Sequence, residues 1–216
     1  DTNTSRVVVA YRDGSNGHGK AIVGAVTSGT NAISFGTVAE YTSSSQQYQS
    51  IVEDPNTNKQ AIFYSDATNG ANGYAIVGTV TGGTDNTISF NTATKFTEGS
   101  DKAHDVESSF DPDTNKILVA YARQASGGGD ISGKSKVATI GGDGNLSYGS
   151  EAEFQSARPT KINMAYDETA NKFLIAYNNQ GDNGFGYLIV GTISGTDVTY
   201  GTAGVKFEAE SIEDLE

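Results

Sequence analysis

The residues of this chain best equipped for chemistry stand in short Gly-rich loops. Two positions after a tyrosine comes an Asp or Asn (Asp13, Asp66, Asn179), three further on an Asn or Asp (Asn16, Asn69, Asp182), and then glycine. Carboxylate and amide oxygens spaced in this way can ligate Ca²⁺ or hydrogen-bond sugar hydroxyls. The same side chains can instead accept N–H bonds from their own loop backbone as Asx turns, and no loop has the spacing of an EF-hand or of a nonapeptide calcium repeat. With them stand His18 and Asn183 in loops, Phe185 at a loop tip, and Tyr74 and Tyr187 at strand entrances, where an aromatic ring can stack on a ligand. These residues form the candidate ligand-binding set.

A second candidate comes from alignment of the segments that precede the DP-type turns. Ser50, Glu107, Asn163 and Glu213 each fall four residues before a turn position, so Glu107 and Glu213 are expected to face each other across an axis. Two converging carboxylates need a cation, a shared proton or water between them. A bound cation such as Ca²⁺ is one outcome, and solvated or neighbour-paired side chains are the other. The chain has only two histidines, His18 in a loop and His104 at a connector. Neither lies in an HExxH pattern, and both read as exposed loop residues. No GxSxG elbow supports a Ser-His-Asp machine. Glycosidase chemistry needs only two suitably separated carboxylates, and an acidic chain can hold such a pair unseen in the sequence.

Composition narrows the partners. Fourteen basic against 26 acidic residues give a net charge of −12, which repels nucleic-acid phosphates and anionic headgroups. With no cysteine there is no disulfide framework, thiolate nucleophile or Cys-based zinc site. The longest apolar runs are about five residues, far short of a membrane-spanning helix. Twenty-seven glycines, three prolines and β-branched residues gathered in short runs argue for strands almost everywhere.

The elements that must position these residues are written four times. RVVVAYRD, QAIFYSDA, KILVAYAR and KFLIAYNN carry Tyr11, Tyr64, Tyr121 and Tyr177 at steps of 53, 57 and 56 residues, and a step from Tyr177 through the chain end back to Tyr11 would be 50. The repeats run over about 1–53, 54–110, 111–166 and 167–216, in one domain. Turns at Asp54, Asp111 and Asp167, matched by the opening at Asp1, use Asp to accept backbone N–H bonds, Pro55 and Pro112 to preset φ, and Asn58, Asn115 and Asn171 for the left-handed position. The chain thus opens at a repeat boundary, as a processed, excised or engineered module would. Each turn is followed by a consecutively apolar strand (Arg6 to Tyr11 in the first repeat), then AIVG-type and ISFG-type strands, the last running to Tyr41, Phe96, Phe154 or Phe207. A polar connector then leads to a fourth strand before the next turn.

Because the fourth strand meets the next repeat's first strand through a tight hairpin, those two must be neighbours, and the connector must be the crossing between repeats. The expected fold is all-β: a four-bladed β-propeller with four antiparallel strands per blade, closed by C-terminal SIEDLE as the innermost strand beside three N-terminal strands. The main rival is a larger ring completed by another chain. Strand directions place the Gly-rich loops (12–20, 65–73, 122–134, 178–186) and the connectors near 42–48, 97–104 and 155–160 on one face, the expected binding face.

The spelling YSDATNGANGYAIVGTVTGGTDNTISF resembles repeats of marine bacteriophage tail-fibre and structural proteins and of large bacterial surface proteins, across all four units. The third departs from it, reading KVATI where the others have AIVGT or its like. The resemblance implies a virion or cell-surface module, extracellular, that contacts host glycan or sits in a fibre, with no catalytic residue to carry over. The chain is therefore expected to be a non-enzymatic module binding carbohydrate or a protein surface. The alternatives are a carbohydrate-active hydrolase with an acidic pair at the channel mouth, and a purely structural or designed scaffold.

Overall fold

The computed structural model describes residues 1–81 and 85–213. The TGGTDN turn falls partly, and the end of SIEDLE wholly, outside the described residues. The chain is all-β and antiparallel, and among the described residues helix is confined to one 3-10 turn at Gln180–Asp182.

Four units follow one another. The first holds β1 (Arg6–Arg12), β2 (Gly19–Val26), β3 (Ile33–Phe35) and β4 (Ala39–Thr42). The second holds β5 (Gln46–Asp54), β6 (Lys59–Asp66), β7 (Asn72–Thr81), β8 (Thr87–Phe90) and β9 (Thr94–Lys95). The third runs through β10 (Lys102–Asp111), β11 (Lys116–Gln124), β12 (Ile131–Ile140), β13 (Leu146–Tyr148) and β14 (Ala152–Gln155). The fourth comprises β15 (Pro159–Asp167), β16 (Lys172–Asn179), β17 (Phe185–Ser194), β18 (Asp197–Tyr200) and β19 (Val205–Ser211). In the last three units the strand before the DP-type turn is inner, and it pairs with the strand after the turn, as connector lengths require. The second and third sheets are joined by one pair, Lys102 with Asn72.

The turns form by the predicted chemistry. Asp54 accepts from the backbone N–H groups of Asn56 and Thr57 and from the Thr57 hydroxyl, and Asp111 does the same for Asp113 and Thr114. Asn58, Asn115 and Asn171 have φ of 53°, 55° and 55°, the left-handed region that Asn tolerates. In the first unit Ser5 takes that place at φ 55°.

Two expectations need correction. The outer strand is not continuous: in every unit it breaks into two short pieces (β3/β4, β8/β9, β13/β14, β18/β19) that pair with the same neighbour. The break is where the next unit's turn docks. A Cβ at Gly36 would press into the carbonyl group of Asn86, and one at Gly149 into that of Thr196, while Asn91 Nδ2 donates to the Asp143 carbonyl at 3.1 Å. The second correction concerns closure. Among the described residues no sheet closes on itself: β1 pairs with β2 alone, and Ser211, the first residue of SIEDLE, stays on β17 opposite Phe185. The Ile212 N–H continues along the fourth unit by donating to the Gly184 carbonyl.

Three cores fill the spaces between consecutive units. Ala21 and Val23 meet Ile62, Tyr64 and Ile76; Phe63 and Phe96 meet Val119 and Tyr121; Leu118 and Phe154 meet Ile175 and Tyr177. Each fully buried large side chain of this kind contributes roughly 1.5–3 kcal/mol of hydrophobic stabilisation. The strand after the turn is buried on both faces only in the two middle units. In β16 burial alternates, with Phe173, Ile175 and Tyr177 buried and Leu174 and Ala176 half-buried, because a neighbour covers one face alone.

Candidate functional site

The Gly-rich loops and the connectors gather at one end, where they are stitched together by the backbone. Gln46 donates to the Gly17 carbonyl, Ala67 to that of Ser45, Ala103 to that of Ala71 and Gln180 to that of Arg158, at 2.8–2.9 Å. These bonds tie the loops and connectors to one another.

Where the inner strands emerge at this end, each is bulged. Register shifts fall between Gln47 and Ser50, between His104 and Glu107, and between Thr160 and Asn163. At all three a non-glycine residue turns left-handed: Tyr48 at φ 47°, Asp105 at 47° and Lys161 at 54°. For an L-residue other than Asn or Gly this costs about 1–2 kcal/mol, a strain that concentrates at functional positions. The bulge takes these residues out of the ladder and re-aims them.

Beside Tyr48 and Asp105 lies a cleft of about 280 Å³. The second unit contributes Tyr48, the third His104, Asp105 and Gln124, and the fourth Arg158 and Pro159. Tyr48 and His104 meet edge to face, with ring centroids 5.6 Å apart at 83°. Burial pushes the Asp105 carboxyl above the usual range, opposed by the positive neighbours Lys161 and Arg158 and by His104. Burial also lowers His104, against a hydrogen bond to Gln124 that raises it. One turn of strand inward, Glu107 is raised by burial while it accepts from Ser50 Oγ at 3.3 Å and from the Ser108 backbone. The arrangement offers an aromatic edge, an amide, a guanidinium and a carboxyl within one small concavity, the mixture that fixes a polar ligand through a few convergent groups.

The cleft lies at the loop-rich end, and none of the residues named from the sequence as ligand-binding lines it. Nothing marked Tyr48, Asp105 and Lys161, because they share a position and not a type. His104, expected as an exposed connector residue, lies half-buried within β10. The discoverable signal was the repeat alignment itself, which puts all three of the bulged residues two positions before Ser50, Glu107 and Asn163.

The loop residues named from the sequence are held by their own loops. Asp13 accepts from the Ser15 N–H at 2.8 Å, from the Ser15 hydroxyl and from Lys20, which together hold its carboxyl well below the usual range. Asn16 Oδ1 accepts from the His18 N–H at 2.9 Å, and His18 Nδ1 lies 3.0 Å from Glu40 Oε2. Asp66 caps Thr68 and Asn69, whose Nδ2 also donates to it. Tyr74 stacks on Tyr64 at 6.2 Å and Tyr187 on Tyr177 at 5.9 Å. In the fourth unit the candidates do converge: Lys206 Nζ is 2.5 Å from Asp182 Oδ2, 4.4 Å from the Phe185 ring centre and 5.5 Å from that of Tyr187, whose hydroxyl donates to Asp182 at 2.6 Å. Asn183, at φ 56°, ends the 3-10 turn beside them. A second cleft, of about 350 Å³, lies where the third unit's Phe154 and Gln155 meet Tyr177, Tyr187 and Tyr200 of the fourth.

Ser50, Glu107 and Asn163 occupy the same register, opposite Phe63, Ala120 and Ala176. Glu213 follows β19 and is exposed. Among the described residues no three His, Asp or Glu side chains converge as a metal-binding group, and no helix is long and apolar enough to cross a membrane.

A scan against protein-family models and a search of curated proteins found no match to this chain.

Proposed function

We propose that the four units are blades of a β-propeller, and that the chain is a non-enzymatic binding or structural module recognising carbohydrate or a protein surface through its loop-rich end. The observation that carries this reading is the cleft of Tyr48, His104, Asp105, Gln124 and Arg158, built from three units and set on strained, bulged backbone. An aromatic edge beside amide, guanidinium and carboxyl groups matches the apolar faces and hydroxyls of a sugar, or a polar side chain of a protein. Placement at the surface of a virion or cell is supported by the resemblance of the repeats to fibre and surface proteins. A Ca²⁺ held by Glu107 and Glu213 through their oxygens is proposed as part of the same reading.

A second reading, carbohydrate hydrolysis, has one observation in its favour. Asp105 lines the cleft, Glu107 stands two residues further along β10, and burial raises both carboxyls, the direction a general acid needs.

The test is a broad glycan array probed with the parent chain in Ca²⁺ and in EDTA, beside Tyr48→Ala and Arg158→Ala. Saturable binding abolished by both substitutions is the expected result. Binding that survives both would move the site off the cleft, and turnover of the bound glycan that is lost in Glu107→Gln would favour the hydrolase.

A further inference from the structure

The two ends of the array carry matching halves of an interface that the interior uses three times. At every internal junction one aromatic from the outer strand of a unit packs on two aromatics of the next. Tyr41 meets Tyr64 and Phe90 at 5.5 and 5.7 Å, Phe96 meets Tyr121 and Tyr148 at 5.1 and 6.5 Å, and Phe154 meets Tyr177 and Tyr200 at 5.6 and 6.0 Å. The fourth set in this series is Phe207 with Tyr11 and Phe35. Its members stand on opposite ends of the chain.

Both ends are apolar and uncovered. On the first unit, register puts Val7, Val9, Gly24, Val26, Ile33 and Phe35 on one face. The equivalents of four of them in the second unit, Ile62, Val80, Ile88 and Phe90, are packed into the core against the first unit. Val9 is 43% exposed against 0% for Ile62, and Ile33 45% against 5% for Ile88. On the fourth unit, Val190 and Phe207 are 39% and 53% exposed, where their equivalents Val77 and Phe96 are 3% and 1%. The turn-docking notch repeats the pattern: Gly36 and Gly149 are pressed by the next unit's turn, and Gly201 in the same place faces open space.

We propose that these faces bind each other between copies of this chain, the fourth unit of one copy receiving the first unit of the next. The occupant is a second copy, because the internal junctions define what each end face fits, and within one chain Val9, Ile33, Val190 and Phe207 of the two end faces stay exposed and do not cover each other. The contact is head to tail: Phe207 inserts between the neighbour's Tyr11 and Phe35, and the neighbour's turn before Ile33 enters the notch at Gly201. Such a heterologous contact makes a ring where its rotation closes and a fibre where it does not. Exposed contiguous apolar faces of this kind mark protein–protein contact in soluble chains.

The chain has no cysteine, so engineered thiols report cleanly. Phe35→Cys and Phe207→Cys are made in separate copies, mixed under reducing conditions and treated with a short bismaleimide, with sedimentation velocity of the parent in parallel. Expected are association that grows with concentration, a two-chain product only in the mixture, and association weakened about tenfold or more by Gly201→Ala or Val9→Asp. Three results would each overturn the proposal: a parent that stays monomeric at millimolar concentration, cross-linking of either single variant with itself, or a double variant cross-linked within one chain. The melting temperature of Gly201→Ala, expected to match the parent in dilute solution, separates lost assembly from lost folding.

Discussion

Replacing Gly36 or Gly149 by alanine should weaken the junctions between units far more than the same change at Gly201. None of the three has a left-handed φ, so alanine carries no backbone penalty at any of them. At Gly36 the new Cβ collides with the Asn86 carbonyl, whose carbon would be 2.8 Å away, and at Gly149 with that of Thr196, again with the carbon at 2.8 Å. A backbone carbonyl at a docked turn cannot swing aside as a side-chain tip can, so the turn must lift from the notch. Overpacking of this type costs about 1–3 kcal/mol, and the rigid obstacle places these two near the upper end. For a domain of this size about 3 kcal/mol lowers the melting temperature by roughly 6–12 °C. Gly201 has nothing within 4 Å of its built Cβ, so its alanine variant should stay within about 0.5 kcal/mol of the parent. Circular dichroism melts of the three variants in dilute solution read this directly. Equal melting temperatures for Gly36→Ala, Gly149→Ala and the parent would refute the tight junction, and with it the reason given for the broken outer strands.

The same contrast governs the aromatics: Phe96→Ala should cost about 3–5 kcal/mol in urea denaturation, since Phe96 is 1% exposed and touches Phe63 and Tyr121, whereas Phe207→Ala should change dilute-solution stability by less than about 0.5 kcal/mol. The raised carboxyls of Asp105 and Glu107 bind protons more tightly folded than unfolded, so their contribution is fully present below the unfolded carboxylate range and is lost as pH rises through their folded values. Asp105→Asn is therefore expected to hold or increase the urea midpoint at pH 7 and to flatten its fall as pH rises above the unfolded carboxylate range, where the unfolded carboxylate titrates first; a steeper fall would contradict the assignment. Asn58→Gly should be close to neutral and Asn58→Val should cost about 1–2 kcal/mol, because φ at this position is 53°; thermal melts distinguish them.

Much of the fold could be read from the chain because its signals are local. An Asp that caps the following N–H groups and an Asn that tolerates positive φ determine a hairpin whatever surrounds them, so the turns at Asp54, Asp111 and Asp167 and the strands flanking them fall where spelling and spacing put them. The loop residues were legible for the same reason, since Asp13, Asn16 and Asp66 each accept a backbone N–H bond from two residues on. The cleft was not legible. It arises where bulged strands from different units meet, and Tyr48, His104 and Arg158 stand 56 and 54 residues apart in the chain, with no shared type to announce them.

The sequence by itself determined an all-β chain of four antiparallel units, their order and their inner-strand pairing, because turn chemistry, apolar runs and connector length act within one repeat. Only the tertiary structure decided which faces are covered. Val9 and Ile62, or Phe207 and Phe96, hold equivalent positions in the repeat, yet one of each pair is exposed and the other buried. That difference depends on whether a neighbouring unit is present, which no single repeat encodes.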